Sequence, residues 1–376
     1  MKKVDIADVF NFCKKSKLKA GDGLDLNEGK YPFYTSSGVL SKSINEYLFS
    51  EESLIFGTGG QASLHYTKGE FSVSTDCFVL QPKLENIKTK YVYYYLKGNI
   101  KILEEGFKGA GLKHISKSYI QKIKIPLPDL ATQQAIVKKL DAAQKLCDLS
   151  QAIVEKYENL SQSLFLEMFG DPVTNPKGWE VKTIEDLVSE KKNSIKRGPF
   201  GGALKKEIFV EEGYLVYEQY HALNNDFDFE RYFIDEEKFN ELKSFEVEEG
   251  DIIISCSGVY LGKLSIVPKG AKRGIINQAL LKLTLNQNVM KNIFFVYVFS
   301  YKRFKEKYFA STRGAGIPNF PPMSDFKKFK FITPPIELQN QFAANIAEIE
   351  RQKALAEQEL AKSQRLFAAL LQESFS

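Results

Sequence analysis

The residues that could carry out a reaction do not assemble into a reactive site. "IFGTGG" (Ile55 to Gly60) has the small residues of a loop that cradles S-adenosylmethionine. It is equally the junction of an apolar strand with a tight turn, and its later counterpart "IISCSG" lacks the glycine pattern. "PNFPP" (Pro318 to Pro322) holds the letters of an amino-methyltransferase motif in the wrong order. No G-x-x-x-x-G-K-[ST] phosphate loop is present, so no ATP motor is expected. His65, His114 and His221 lack metal-ligand spacing. Cys13, Cys77, Cys147 and Cys256 are scattered, which suits buried free thiols in a reducing cytoplasm. The expectation is a cytoplasmic, non-catalytic chain with no catalytic residues, no cofactor and no metal.

What remains is binding chemistry. Arg and Gln can pair bidentately with guanine and adenine edges, whereas Lys and Tyr more often hold phosphates. Loop residues of these polar, basic and aromatic types are the candidates for ligand contact; in the first part of the chain they are Tyr34, Thr35, Ser36, Ser37, Thr58, Gln61, His65, Lys108, Lys113 and His114. In the second part they are Lys196, Arg197, Lys205, Lys206, Tyr217, Gln219, Tyr220, His221, Lys272, Arg273, Asn277, Gln278, Arg313 and Asn319. Glycines in "KGAGLK" (Lys108 to Lys113) and "RGAGIP" (Arg313 to Pro318) serve turns with positive φ, or let backbone approach phosphate.

That near-repeated glycine phrase organises the elements that must position these residues. "SLIFGTGG" and "DIIISCSG" are each a buried strand running into a small-residue turn. A basic hairpin, another apolar strand and an aromatic helical segment follow in both ("KYVYYYLKGNIKIL" and "NIFFVYVFSYKRFKEKY"). The glycine phrase comes next, then a last strand, then prolines ("IPLPDL", "TPPIEL"). The order matches element by element, so the chain is a tandem repeat.

Each proline run opens a stretch without further Gly or Pro, from Ala131 to Phe169 and from Ile336 onward, rich in helix formers. In the first, Leu146, Leu149, Ile153, Tyr157, Leu160 and Leu164 recur every three or four residues; in the second, Leu338, Phe342, Ile346, Ile349, Ala356, Leu360, Phe367 and Leu370 keep to one stripe at spacings of three, four or seven. Each predicts an amphipathic helix about 58 Å long at 1.5 Å per residue. Two such helices bury their stripes most simply on each other. Phe165, Phe169, Phe367, Leu371 and Phe375 near the helix ends are candidates for accepting a partner, or for packing on a module.

The expected fold is α+β: two tandem mixed modules and two long helices forming an antiparallel coiled-coil spacer, with pseudo-twofold symmetry. The expected boundaries are 1–128 and 171–333 for the modules, 129–170 and 334–376 for the helices. The modules carry net charges of +6 (1–128) and +3 (179–333), the helical blocks −2 each, within a total of +5. A mildly basic module with glycine and aromatic loops suits a nucleic-acid surface. No run of apolar residues is long enough for a membrane span.

At this point the chain resembles the specificity subunit of type I restriction–modification systems. The resemblance rests on "IPLPDLATQQAIVKKLD" ending in "SQSLFLEMFGDPVTNPKGW", and on "PPIELQNQFAANIAEIE" ending in "SQRLFAALLQESF". "GPFGGALK" (Gly198 to Lys205) adds to it. It implies that each module is a target recognition domain reading one half of a split double-stranded DNA sequence, and that the candidate loop residues are its DNA contacts. It further implies that the helices fix the spacing and dock two modification (methyltransferase) subunits, that a restriction subunit can join, and that catalysis resides in those other chains. A helical scaffold carrying two protein- or glycan-binding modules is the alternative; only DNA binding should weaken steeply with salt.

Overall fold

The computed structural model describes residues 3–309 and 319–375. Arg313 and the phrase "RGAGIP" lie outside the described residues. The fold is α+β, built as two compact units: Met1–Val154 with Leu355–Ser376, and Glu155–Ala354. Each takes one mixed module and a portion of both long helices, so the division falls within the helices and not at their starts.

In the first unit, an antiparallel sheet has the order Phe10–Phe12, Cys77–Pro82, Ser53–Gly57, Leu64–Thr67. Its central strand Ser53–Gly57 is buried along its whole length, as its unbroken apolar run requires. A second sheet places Tyr31–Tyr34 parallel to Ser72–Val73. The second unit repeats both. Ile195–Arg197, Leu280–Leu283, Ile252–Ser255 and Leu264–Ile266 form the first sheet, and Tyr214–Tyr217 runs parallel to Gly274–Ile276 in the other. Each module is closed by a clasp: Lys3–Asp5 pairs with Lys124–Pro126, and Glu180–Thr183 with Lys330–Thr333.

The aromatic segments are helices, Thr89–Gly98 and Asn292–Ser300. They present Tyr91 and Tyr95, or Phe294, Phe295 and Phe299, to the module cores, while Tyr94 is buried against the long helices with Leu140 and Leu371. The long helices run Leu130–Phe169 and Ile336–Ser374. Within the first unit their portions are antiparallel: Lys139 pairs with Glu373 at 3.1 Å, and Ser150 Oγ lies 3.4 Å from Ser363 Oγ. The same direction holds within the second, where Glu158 pairs with Lys353 at 2.9 Å and Phe165, further along, packs on Phe342 at 5.8 Å between ring centroids.

The seam of the first long helix is not the stripe that periodicity selects. Leu146, Leu149, Ile153 and Leu160 are exposed by 45%, 54%, 47% and 48%. The buried line is Leu140, Ala143, Cys147, Ser150, Val154 and Ser161. Each exposed residue stands one position before a seam residue, about 100° around the helix. Four of its six side chains, those of Ala143, Cys147, Ser150 and Ser161, are small. Hydrophobic size therefore marks the neighbouring face. Tyr157 and Leu164 are half-buried, as are Ile349, Leu360 and Phe367; Ile346 and Phe342 are buried.

Of the two roles open to Phe165, Phe169, Phe367, Leu371 and Phe375 near the helix ends, the contacts are those of packing within the units. Phe165 and Phe169 are buried against Phe294 and Phe342, with ring centroids of Phe169 and Phe294 4.6 Å apart. Phe375 packs on Tyr91 and Tyr95 at 5.6 and 5.5 Å, and Phe367 on Tyr94. Leu371 is buried with Tyr94 and Leu140.

Candidate nucleic-acid interface

In the first module, three loops converge at the end of the central strand. The turn Thr58–Gly59–Gly60 is fastened to the glycine-phrase hairpin: Gly60 N–H donates to the Lys113 carbonyl at 3.0 Å, and Ile115 N–H to the Thr58 carbonyl at 3.1 Å. His114 Nδ1 lies 3.1 Å from that same Thr58 carbonyl. From the other side, the loop after Tyr31–Tyr34 is tied down by Ser36 Oγ donating to the Asp76 carbonyl (2.8 Å) and Ser63 Oγ to the Ser36 carbonyl (3.0 Å). His65 Nε2 meets the Ser37 carbonyl at 2.8 Å, and its ring packs on Tyr34. Burial holds the His65 pKa below the usual histidine value, opposed by its bond to Ser37. A neutral Nε2–H donor to a carbonyl is the consistent tautomer.

The structure thus gathers Tyr34, Thr35, Ser36, Ser37, Thr58, Gln61, His65, Lys113 and His114 around one loop cluster, with Lys108 across the hairpin from His114. Within it, Tyr34 and Thr58 are buried and Thr58 Oγ1 donates to the Asp76 carbonyl; both shape the loops from below. Gln61, Lys108, Lys113 and His114 are exposed.

The second module builds the same cluster from different side chains. Ser257 bridges to Asn319 as Gly59 does to His114. Gln219 Nε2 donates to Ser255 Oγ and the Ser257 carbonyl, each at 2.9 Å. Arg197 stacks its guanidinium on Phe200 at 5.5 Å and lies close enough to Cys256 to oppose the burial that pushes that thiol up to about 12. Arg197 Nε is buried without a hydrogen-bond partner. Gly198 is needed where it stands, since a Cβ there would sit 1.8 Å from the Asn277 carbonyl oxygen. Asn277 Oδ1 accepts from Ala279 N–H, and Gln278 is exposed beside it.

Other candidates stand apart. His221 is fully buried, its Nδ1 accepting from Glu218 N–H (2.9 Å) and its Nε2 facing the Phe229 carbonyl (2.9 Å). Tyr217 is also fully buried and donates to the Lys272 carbonyl. Neither offers a free edge to a ligand. Lys272 and Arg273 lie at the opposite end of their strand from Asn277, paired with Glu230 (2.8 Å) and Glu246 (2.7 Å). Tyr220 donates to Asp226, and Lys196 sits over the Phe245 ring at 4.7 Å. Lys205 and Lys206 are exposed on short 3₁₀ turns.

The pattern of the family described as "Type I restriction modification DNA specificity domain" matches residues 1–159 and 176–363. The chain belongs to that family. The specificity subunit of the MjaVIII type I restriction enzyme from Methanocaldococcus jannaschii is 22% identical over 379 residues, covering 94% of this chain and 84% of that protein. The Escherichia coli EcoDI specificity subunit is 32% identical over 130 residues, but that match spans only 35% of this chain and 29% of the E. coli protein. The crystal structure of a type I S subunit from M. genitalium shares the fold, with a TM-score of 0.61 at 16% identity over 100% of this chain and 96% of that one. Family membership leaves the scaffold alternative without support.

Residues chosen for polarity alone miss part of this candidate interface. Ser255 and Ser257 hold Gln219, and large apolar side chains stand exposed on the surrounding loops: Leu112, Phe200 and Val259. Aligning the two modules position by position is the signal that finds them. Among the described residues no group of His, Cys, Asp and Glu could hold a metal ion, and no helix is long and apolar enough to cross a membrane.

Proposed function

We propose that this chain is the DNA-recognition subunit of a type I restriction–modification complex, and that its two modules, 1–128 and 171–333, each read one half of a split duplex target. The observation that carries the reading is the loop cluster built twice at the same strand end, fastened by the same backbone bonds and lined by different side chains. One framework with two surfaces is what two different half-sites require. Exposed lysines hold phosphates and the amide and imidazole groups reach base edges. Half-sites approached alike by two such modules are expected about one helical turn apart, ~34–36 Å.

The exposed line Leu146, Leu149 and Ile153 is the surface we assign to a modification subunit, because these apolar side chains stand exposed on one helix face beside a seam that other residues already fill. Two repeats offer two comparable positions, hence two modification subunits, with a restriction subunit joining through them. Methylation and cleavage belong to those partners.

The test is mapping of modified bases across the source genome with the gene intact and deleted. Loss of one split, asymmetric motif on deletion is the expected result; an unchanged pattern overturns the reading. Binding of the partner-bound complex to its motif should fall with salt at a log–log slope near −0.9 per phosphate contact.

A further inference from the structure

Superposing the repeats in sequence isolates one residue in each module. In both, the central strand ends in a turn fastened by the same bonds to the two residues that follow the glycine phrase in sequence. Gly59 bridges to His114 and Ser257 to Asn319. Ile115 N–H donates to the Thr58 carbonyl at 3.1 Å, and Phe320 N–H to the Cys256 carbonyl at 2.9 Å. The next residue is a glycine in the left-handed region in both, Gly60 at φ +83° and Gly258 at φ +75°. The residue after it is exposed in both: Gln61 in the first module, Val259, 86% exposed, in the second.

We infer that the residue following this left-handed glycine is the specificity-determining position of each module, Gln61 reading an adenine edge and Val259 a thymine methyl. The inference rests on the reading that the modules bind DNA. A single exposed valine is ordinary on a protein surface. Val259 is not ordinary in its place, because its backbone is pinned on one side and it occupies the position of an amide in the companion module. The surroundings supply what a base reader needs. The carbonyl of Lys113 accepts from Gly60, placing an exposed lysine beside Gln61. Beyond Val259, the exposed Lys263 lies over the Tyr260 ring at 5.5 Å. Lysines hold the phosphate chain while the intervening side chain meets the base. A Gln amide matches the N6/N7 edge of adenine bidentately, and a branched aliphatic group matches the thymine methyl. Two modules of one fold thus take opposite chemistries at one place, which is how a shared framework reads two different half-sites.

The test uses the full chain produced with its own modification subunits in a host free of other DNA methylation. Modified motifs are mapped for the wild type, Gln61→Val, Val259→Gln, Gln61→Ala and Val259→Ala. Gln61→Val should change the preferred base at one position of one half-motif, and Val259→Gln at one position of the other, each by about tenfold or more. The alanine variants should relax the same positions without redirecting them. The untouched half of each motif reports that the variant is folded and assembled. In binding, replacing thymine by uracil in the second module's half-site should weaken the wild type and leave Val259→Ala unaffected. If the wild type modifies a split motif and all four variants keep its base preferences, the inference is wrong and the DNA-reading role stands. If the wild type modifies no split motif, both fall.

Discussion

Gln133 Oε1 accepts the backbone N–H of Lys88 at 2.9 Å, and the repeat makes the same bond between Gln339 and Lys291, also at 2.9 Å. Each glutamine then donates twice: Gln133 to the carbonyls of Asn86 and Pro128, Gln339 to those of Val289 and Pro334. One buried amide in the first turn of a long helix therefore ties the loop that opens the aromatic helix to the prolines that open the long one. This locks the angle at which each module meets its own stretch of helix.

Replacing either glutamine tests that lock. Gln133→Ala orphans the Lys88 N–H and two carbonyls in a buried place, at a cost of at least about 2 kcal/mol. Gln133→Glu should cost more, since it turns the donor into a carboxylate facing two carbonyl oxygens. Hydrogen exchange localises the effect: the Lys88 amide should lose protection in the Gln133 variants and Lys291 should not, with the reverse for Gln339→Ala. Equal loss at both amides would refute independent locks.

The displaced seam makes an opposite pair of predictions. Ser150→Leu forces a large side chain against Ser363 and should destabilise by about 1–3 kcal/mol. Leu146→Gln with Leu149→Gln touches only exposed positions and should change stability by within about 0.5 kcal/mol per site. Urea unfolding measures both. The double variant should nonetheless lose its modification subunit in co-purification, because the apolar surface assigned to that partner is gone.

The tandem repeat, the two long helices and the proline runs that open them were legible in the residues alone. They are local features: helix formers without Gly or Pro, apolar runs, and a phrase spoken twice. The seam register was not, because Ala143, Cys147, Ser150 and Ser161 are small or polar and weigh less in a hydrophobic pattern than Leu146, Leu149, Ile153 and Leu160 on the neighbouring face. Polarity also misleads about exposure. His221 and Tyr217 look like contacts in sequence, yet topology wraps them inside; Lys272 and Arg273 look free, yet Glu230 and Glu246 are brought to them from distant segments. Val259 was invisible for the converse reason, since an apolar side chain on a loop means nothing until its repeat counterpart is known.

Buried thiols and phenols set the alkaline limit. Burial pushes Cys77 up to about 11, and Cys256 and Tyr217 up to about 12. These groups hold their protons more tightly folded than unfolded. The stability they contribute is thus complete below their unfolded values near 9 and 10 and is lost as pH rises through the folded ones. Stability measured by urea unfolding should accordingly fall between about pH 9 and 12. At pH 8, iodoacetamide should label the half-exposed Cys13 first, with Cys77 and Cys256 reacting only as the chain unfolds; rapid labelling of Cys256 in the native protein would contradict its burial.

Salt dependence separates the free lysines from the paired ones. Lys113 is exposed on the hairpin that closes over Gly60, whereas Lys272 is held by Glu230 at 2.8 Å. A lysine that neutralises a phosphate releases counterions on binding, so Lys113→Ala should flatten the log–log salt slope of the complex by about 0.9. Lys272 already has a carboxylate partner and stands at the other end of its strand from Asn277, so Lys272→Ala should leave the slope nearly unchanged. Both variants are surface changes with small effects on folding, which keeps the comparison clean. Titration of the motif duplex between 50 and 200 mM salt gives the slopes directly. Equal flattening by both variants would place Lys272 on the DNA as well, and would move the contact surface of the second module toward the Glu230 side of its sheet.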